Sequence, residues 1–197
     1  MADDVRPDFE AAYHGEPPWE IGAPQPEVVK LADGGGFRGS VLDVGCGTGE
    51  NSLFLAARGH PVLGVDGAPT AIARAREKAL ARGVEARFVL GDALDLGALR
   101  ERFETALDCG LFHVLRDEER ERYAGSLASA IGSGGQVHLL CFSDEEPPGW
   151  GPRRISEREI RSTFSGHFAI SRVLPARFST RLPREDPKAW LATLTRL

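Results

Sequence analysis

From Val41 onward, short apolar runs alternate with longer amphipathic ones. Val41–Val44, Val62–Val65, Arg87–Leu90, Thr105–Cys109 and Val137–Phe142 have strand length and composition, and each is bounded by Gly or polar residues. Between them the spacing predicts helices. One runs over 51–58 and is stopped by Gly59. A second runs over 69–81, with Pro69 in its first turn and Ile72 and Ala79 on one face. A third starts at an Asp117 cap, with Tyr123, Leu127 and Ile131 recurring every four residues. Gly134-Gly135 leads into the fifth strand. Further on, Ser156 opens a helix to Phe164 in a Ser-x-x-Glu box with Glu159, and two late strands fall near 169–174 and 190–194. Strictly alternating strands and helices predict an α/β fold, a doubly wound, mostly parallel sheet of seven strands with helices on both faces.

The first forty residues break this pattern. A short helix is expected over 9–14. Gly15–Pro26 holds too many Pro and Gly for a helix interior, and a second helix over 27–32 ends at Gly34-Gly35-Gly36.

Length and composition narrow the class. A chain of 197 residues suits one domain with a sizeable core. Hydrophobic residues make up 42% and charged residues 27%, as in globular proteins. The net charge of −5 argues against a nucleic-acid partner, although from Gly151 onward ten Lys or Arg face four Asp or Glu. That basic tail reads as a solvated arginine-rich face or as a contact for an anionic substrate or RNA. Cys46, Cys109 and Cys141 form no CxxC pair, so neither a zinc site nor a disulfide framework is expected, and the thiols fit a reducing cytoplasm. The acidic start, Met1 to Asp8, has no apolar core of a secretory signal, and no apolar run is long enough to span a membrane. No His/Asp/Glu cluster has metal-ligand spacing.

The chemistry concentrates in Asp43-Val44-Gly45-Cys46-Gly47-Thr48-Gly49-Glu50. This loop follows a strand and opens a helix, where an open parallel sheet binds ligands. The free N–H groups of that helix favour an anionic group. A dinucleotide fingerprint requires G-x-G-x-x-G, but counting from Gly45 the last position is Glu50; a phosphate-binding P-loop fails because the chain has no Gly-Lys pair. Asp66 ends the second strand and can accept both hydroxyls of a ribose; Asp92 ends the third and can accept from an exocyclic amine. Singly, Asp66 reads equally as a helix cap before Ala68-Pro69 and Asp92 as a strand-end residue. Together with the glycine loop they form a row across adjacent strand ends, on which a nucleoside with an amino-acid tail would lie.

Val41-Leu42-Asp43-Val44-Gly45-Cys46-Gly47-Thr48-Gly49 resembles motif I of the class I S-adenosylmethionine (SAM)-dependent methyltransferases, and Asp66-Gly67 and Asp92-Ala93 resemble the next two motifs. The similarity spans residues 37–142. It implies a Rossmann-like sheet whose last strand is antiparallel, with SAM as cofactor and S-adenosylhomocysteine as its product. By that resemblance Asp43, Gly45, Cys46, Gly47 and Gly49 surround the methionine part, Asp66 and Gly67 the ribose, Asp92 and Ala93 the adenine, and Cys109 lies near the methyl. Pro17-Pro18-Trp19-Glu20-Ile21-Gly22-x-Pro24-Gln25-Pro26 is similar to the start of thiopurine S-methyltransferase-like enzymes and of bacterial relatives acting on toxic heterocycles and small aromatics. In that group the segment covers cofactor and acceptor, with Trp19 over the cofactor here. The expected division is a lid over 1–36, a SAM-binding core over 37–142, and a substrate loop with the sheet-closing strands over 143–197.

Methyl transfer needs alignment and exclusion of water, and a base only where the acceptor must lose a proton. His113, after the fourth strand, is the candidate base, or else a structural histidine bonded to backbone. Phe112, His113 and Trp150 are the candidate substrate contacts, the two large aromatics flanking a flat acceptor. The expected function is SAM-dependent methylation of an O, S or N atom of a small aromatic or heterocyclic molecule, without metal, nucleic acid or membrane. An RNA or protein methyltransferase and a non-catalytic SAM-binding protein stay open as alternatives.

Overall fold

The structure, a computed structural model, describes residues 8–197. All but the last residue of the acidic start lies outside the described residues. The strap that opens the described chain contains α1 (Phe9–Tyr13), capped by the Asp8 carboxylate on the Ala11 N–H at 3.0 Å, and α2 (Pro26–Asp33), with Pro26 in its first turn.

Seven strands follow: β1 (Val41–Val44), β2 (Val62–Asp66), β3 (Arg87–Leu90), β4 (Phe103–Cys109), β5 (Ile131–Phe142), β6 (Phe168–Arg177) and β7 (Lys188–Arg196). Their order in one sheet is β3-β2-β1-β4-β5-β7-β6. β1 through β5 pair in parallel, whereas β7 inserts antiparallel between β5 and β6. Every residue of β1 is buried, as a central strand covered on both faces requires. Helices α3 (Glu50–Ala57), α4 (Pro69–Arg82), α5 (Asp117–Ala130) and α6 (Glu157–Phe164) complete the layers. The main core packs α5 and α6 on the sheet through Leu127, Tyr123, Phe164 and Phe168. Among the described residues no helix is long and apolar enough to cross a membrane.

Three details differ from the sequence reading. Helix α5 has Arg116 at its cap, its backbone N–H bonded to Glu119 at 3.0 Å, and Asp117 is the first helical residue, adding negative charge to the helix start. Ile131 belongs to β5, so its four-residue spacing from Leu127 is coincidental. The chain turns extended there because Gly132, Gly134 and Gly135 follow, and a Cβ at Gly135 would stand 2.7 Å from the Ile131 side chain. Two short 3-10 turns within Ala93–Leu99, kinked at Asp95, join β3 to β4 where no element was expected.

The chain moves outward from β1 to β3 and returns to β4 beside β1, which puts a switch point between the carboxyl ends of β1 and β4. The glycine loop and the Cys109–Leu111 turn meet there. Because β6 runs in the same direction as β5, its end also reaches this edge of the sheet.

Candidate active site

The carboxyl edge of the sheet opens into one cleft of about 2360 Å³, which runs from the ends of β2 and β3 to the loop after β5. Its glycine loop is held tightly. The Gly45 and Cys46 N–H groups donate to the Val65 carbonyl at 2.8 and 3.0 Å. Gly47 sits at φ 54°, and a Cβ there would stand 2.8 Å from the Tyr13 hydroxyl and 3.1 Å from Glu20 Oε1. The glycine is therefore what lets the strap lie directly on the loop.

Asp66 Oδ2 accepts the Gly47 N–H at 2.8 Å and Oδ1 the Ala68 N–H at 2.9 Å. Both open readings of Asp66 hold at once: it caps the turn into α4 and lines the cleft. Burial raises its carboxyl above the ordinary range, against the lowering by its backbone N–H partners. Each oxygen keeps a lone pair for a further donor. Asp92 stands on the rim with a side chain 60% exposed, its Oδ1 accepting the Leu94 N–H at 2.8 Å.

Beneath the loop, Asp43 is buried and accepts the Ser52 hydroxyl at 2.5 Å, while its other oxygen has no hydrogen-bond partner. Burial pushes its carboxyl up to about 7. Asp43 underlies the cleft and does not line it. Gly49 also lies outside the lining. At φ 84° it opens α3, and a Cβ would stand 2.9 Å from the Phe88 ring, so it serves close packing of α3.

The strap is fastened on several sides. Trp19 Nε1 donates to the Tyr13 hydroxyl at 3.1 Å. Glu20 bonds the Thr48 hydroxyl, and Lys78 Nζ reaches Thr48 Oγ1 at 2.5 Å and Glu50 at 2.8 Å. Glu10 accepts the Thr70 N–H at 3.0 Å. On the opposite side the Arg181 N–H donates to the Pro18 carbonyl at 2.8 Å.

At the far end, the Asp108 carboxylate shapes the turn after β4. It accepts the Leu111 and Phe112 N–H groups at 2.9 and 3.2 Å and the Tyr123 hydroxyl at 2.6 Å; burial nevertheless raises it to about 6. The turn directs Phe112 away from the cleft. Its side chain is fully buried, 5.1 Å from the Phe164 ring and under the Arg120 guanidinium, so it is a core residue rather than the acceptor contact expected. His113 lines the cleft, but its Nδ1 accepts the Phe142 N–H at 3.0 Å, which places the ring proton on Nε2. Burial, aided by the charge of Arg154, lowers its pKa to about 3. Of the two readings of His113, the geometry fits the histidine bonded to backbone: its Nδ1 is occupied, and the neutral ring offers only its Nε2–H.

An aromatic box surrounds it. The Phe142 ring lies 5.0 Å from His113, 5.5 Å from Phe178 and 5.6 Å from Trp150, all tilted edge to face. Trp19 and Cys109 pack against the same cluster. Of these, sequence reasoning missed Phe142 and Phe178, as well as Tyr13 and Glu20 on the strap. Phe142 carried a signal, since it ends a strand at the carboxyl edge. Phe178 carried none until the direction of β6 was known. Gly45, Cys46, Gly47, Asp66, Gly67, Asp92, Ala93, Cys109, Trp19 and Trp150 all line this one cleft.

A switch-point cleft with a glycine loop and one carboxylate at each of the next two strand ends is the arrangement that the motif resemblance implies for a methyltransferase. A family model for a methyltransferase domain matches residues 41–135. The chain is 38% identical over 188 residues to 2-heptyl-1-hydroxyquinolin-4(1H)-one methyltransferase of Mycobacteroides abscessus, covering 90% of this chain and 83% of that one. A structure solved for the conversion of a disulfide bond into a thioacetal group during echinomycin biosynthesis superposes with a TM-score of 0.89 at 38% identity, over 98% of this chain and 93% of that one. Magnesium protoporphyrin IX methyltransferase from Synechocystis, solved with bound SAM, superposes with a TM-score of 0.65 at 25% identity, over 87% and 76% of the two chains. The chain belongs to the SAM-dependent methyltransferases. The residues present fit that cofactor: a loop whose Gly45 and Gly47 leave no room for a Cβ, and acceptor carboxylates at Asp66 and Asp92 lining the cleft.

Proposed function

We propose that this enzyme methylates an O, S or N atom of a flat aromatic or heterocyclic small molecule held in the box of Trp19, Phe142, Trp150 and Phe178. The observation that carries the reading is the continuity of the cleft: the glycine loop and this box belong to one cavity, joined across Cys109 and Gly110. In this reading Gly45, Cys46 and Gly47 receive the methionine part, Asp66 and Gly67 the ribose, and Asp92 and Ala93 the adenine. Bound SAM supplies an electrophilic methyl on a sulfonium sulfur.

The chain's own part is to align and to dry. Edge-to-face rings favour a planar acceptor over an aliphatic one of equal area. Trp19, tied to Tyr13 and so to the glycine loop, bridges the cofactor and acceptor ends and keeps water from the reacting atoms. The Nε2–H of His113 is available to orient an acceptor oxygen. The Mycobacteroides abscessus relative, named for a hydroxyquinolinone, supports an aromatic heterocycle as acceptor. The acidic balance of −5 speaks against nucleic acid as the acceptor, and the unpaired cysteines support a cytoplasmic setting.

The test is release of S-adenosylhomocysteine by the purified chain with a panel of phenols, thiols and N-hydroxy-heterocycles, with methylated product identified by mass spectrometry. Methylation of flat acceptors in preference to aliphatic alcohols and thiols of similar size is expected. SAM binding without methylation of any aromatic acceptor would refute the reading.

A further inference from the structure

The cleft is electrically polarised along its length. The carboxylates that line it, Glu10, Glu20, Glu50, Asp66 and Asp92 with Asp8, come from the strap, the start of α3 and the ends of β2 and β3. The guanidiniums that line it, Arg153, Arg154 and Arg184, come from the loop after β5 and the connection after β6. Arg153 is neutralised by Asp117 and Glu159. Arg154 has only the buried carboxylate of Glu146 behind it, with no direct ion pair between them, and Arg184 has no such partner among the described residues.

Arg154 donates to main-chain carbonyls, among them Trp150 at 2.6 Å and Glu146 at 3.3 Å. Carbonyls take up its hydrogens and leave its charge. The nearby carboxylate of Glu146 has its Oε2 on the Lys188 N–H at 2.8 Å. Arg184 lies 3.8 Å over the Trp150 ring and Arg154 5.4 Å from it. Among the described residues no carboxylate is within ion-pair distance of Arg184. Its chain neighbours are committed elsewhere: Glu185 pairs with Arg177 at 2.7 Å, and Asp186 accepts the Ser179 hydroxyl at 2.6 Å. Two like charges thus share one indole; burial lowers the pKa of Arg154, the Glu146 carboxylate behind it raises it, and the charge of Arg184 lowers it. An anion in the box relieves that repulsion. Among the described residues no carboxylate lines this end of the cleft, and the His113 Nδ1 is already occupied, so none of these side chains is placed to take a proton.

We propose that Arg184 and Arg154, held against Trp150, make the acceptor end selective for acceptors that arrive already ionised, the conjugate bases of acidic hydroxy- or mercapto-heteroaromatics. The proposal rests on the aromatic-acceptor reading above. The acceptor's proton goes to solvent before capture. Its oxygen or sulfur pair then forms the bond to the methyl carbon, and the former carbon–sulfur pair stays on the donor sulfur. One negative and one positive charge disappear together, a change that a water-poor aromatic box favours.

The test measures kcat/KM against pH at saturating SAM for acceptors of similar shape but graded acidity. The acid limb should break at each acceptor's own pKa, moving from one acceptor to the next, and the break should stay there in His113→Asn. Arg184→Gln should raise KM for the acidic acceptors about tenfold more than for neutral isosteres, the loss expected for one charge-assisted contact, with Arg184→Lys recovering part of it. A break at one fixed pH for all acceptors would show that an enzyme group takes the proton and would overturn the proposal while leaving the aromatic-acceptor reading intact. Equal loss for acidic and neutral acceptors in Arg184→Gln would do the same. Failure to methylate any aromatic acceptor would overturn both.

Discussion

The side-chain amide of Gln25 exchanges two hydrogen bonds with the backbone of Ser179: its Nε2 donates to the Ser179 carbonyl and its Oε1 accepts the Ser179 N–H, each at 2.9 Å. Gln25 is buried, and its own N–H donates to Asn51 Oδ1 at 2.9 Å. One residue therefore joins the strap, the start of α3 and the connection between β6 and β7. It also explains why α2 lacks a side-chain cap, since the amide of its cap residue is turned to Ser179.

Gln25→Ala should loosen the strap without unfolding the sheet. Two partly buried bonds are lost and the Ser179 groups are left to find water, a cost of about 1–3 kcal/mol. The expected results are a lower melting temperature and faster proteolytic cleavage before α2. An unchanged melting temperature and cleavage rate would show the clamp to be inconsequential.

Asp66→Asn should weaken SAM binding by roughly 1–3 kcal/mol in titration calorimetry, through loss of a charged acceptor for two hydroxyls. The amide retains one oxygen for the Gly47 or Ala68 N–H, so most of the loop geometry survives. Wild-type affinity in the variant would remove Asp66 from the ribose site.

A third prediction concerns pH and stability. Burial raises the carboxyls of Asp43 and Asp108 to about 7 and about 6 in the folded chain, against an ordinary aspartate value of 3.8. A raised carboxyl means that the folded state binds the proton more tightly than the unfolded state. Stability from these groups is therefore fully present below pH ~4 and is lost as pH climbs through the folded values. Melting temperature of the unliganded protein should fall between about pH 5 and pH 8 in wild type. The slope should flatten in Asp43→Asn, whose amide oxygen can still accept from Ser52. Parallel slopes in the two proteins would mean that Asp43 does not titrate in this window.

Much of the scaffold was legible because its signals are local. The strand at 41–44, the cap at Ser156 and the stop at Gly59 each follow from a few adjacent residues. So did the row of glycine loop, Asp66 and Asp92, because successive parallel strands end at the same edge. The errors came where an outcome depends on partners distant in sequence. Phe112 was placed at the acceptor beside His113, and nothing local says that Asp108 will fold the turn so as to bury the first ring while the second stays at the cleft. Phe178 and Arg184 enter the site only because β7 runs backward between β5 and β6. Gln25 was read as part of a Pro-rich connection, whereas its partner stands 154 positions away.

The last prediction concerns the strap as a cover. Residues 9–25 supply no strand, and the sheet closes without them. Yet Tyr13 and Glu20 press on Gly47, Glu10 holds Thr70 at the start of α4, and Trp19 joins the aromatic box. Much of what the segment touches is itself cleft lining, and a ligand beneath it would add further partners, so its order should depend on occupancy. Hydrogen exchange across Trp19–Gln25 should slow when S-adenosylhomocysteine is added. Removing residues 1–24 should leave a folded sheet, because the truncation keeps Gln25 and α2, while it exposes the buried Ala68 and Ala71 beside the cofactor end. SAM binding should weaken, and turnover should fall further than binding, because water then reaches the reacting atoms. Full activity of the truncated chain, with exchange across the strap indifferent to ligand, would reduce these contacts to a structural tether.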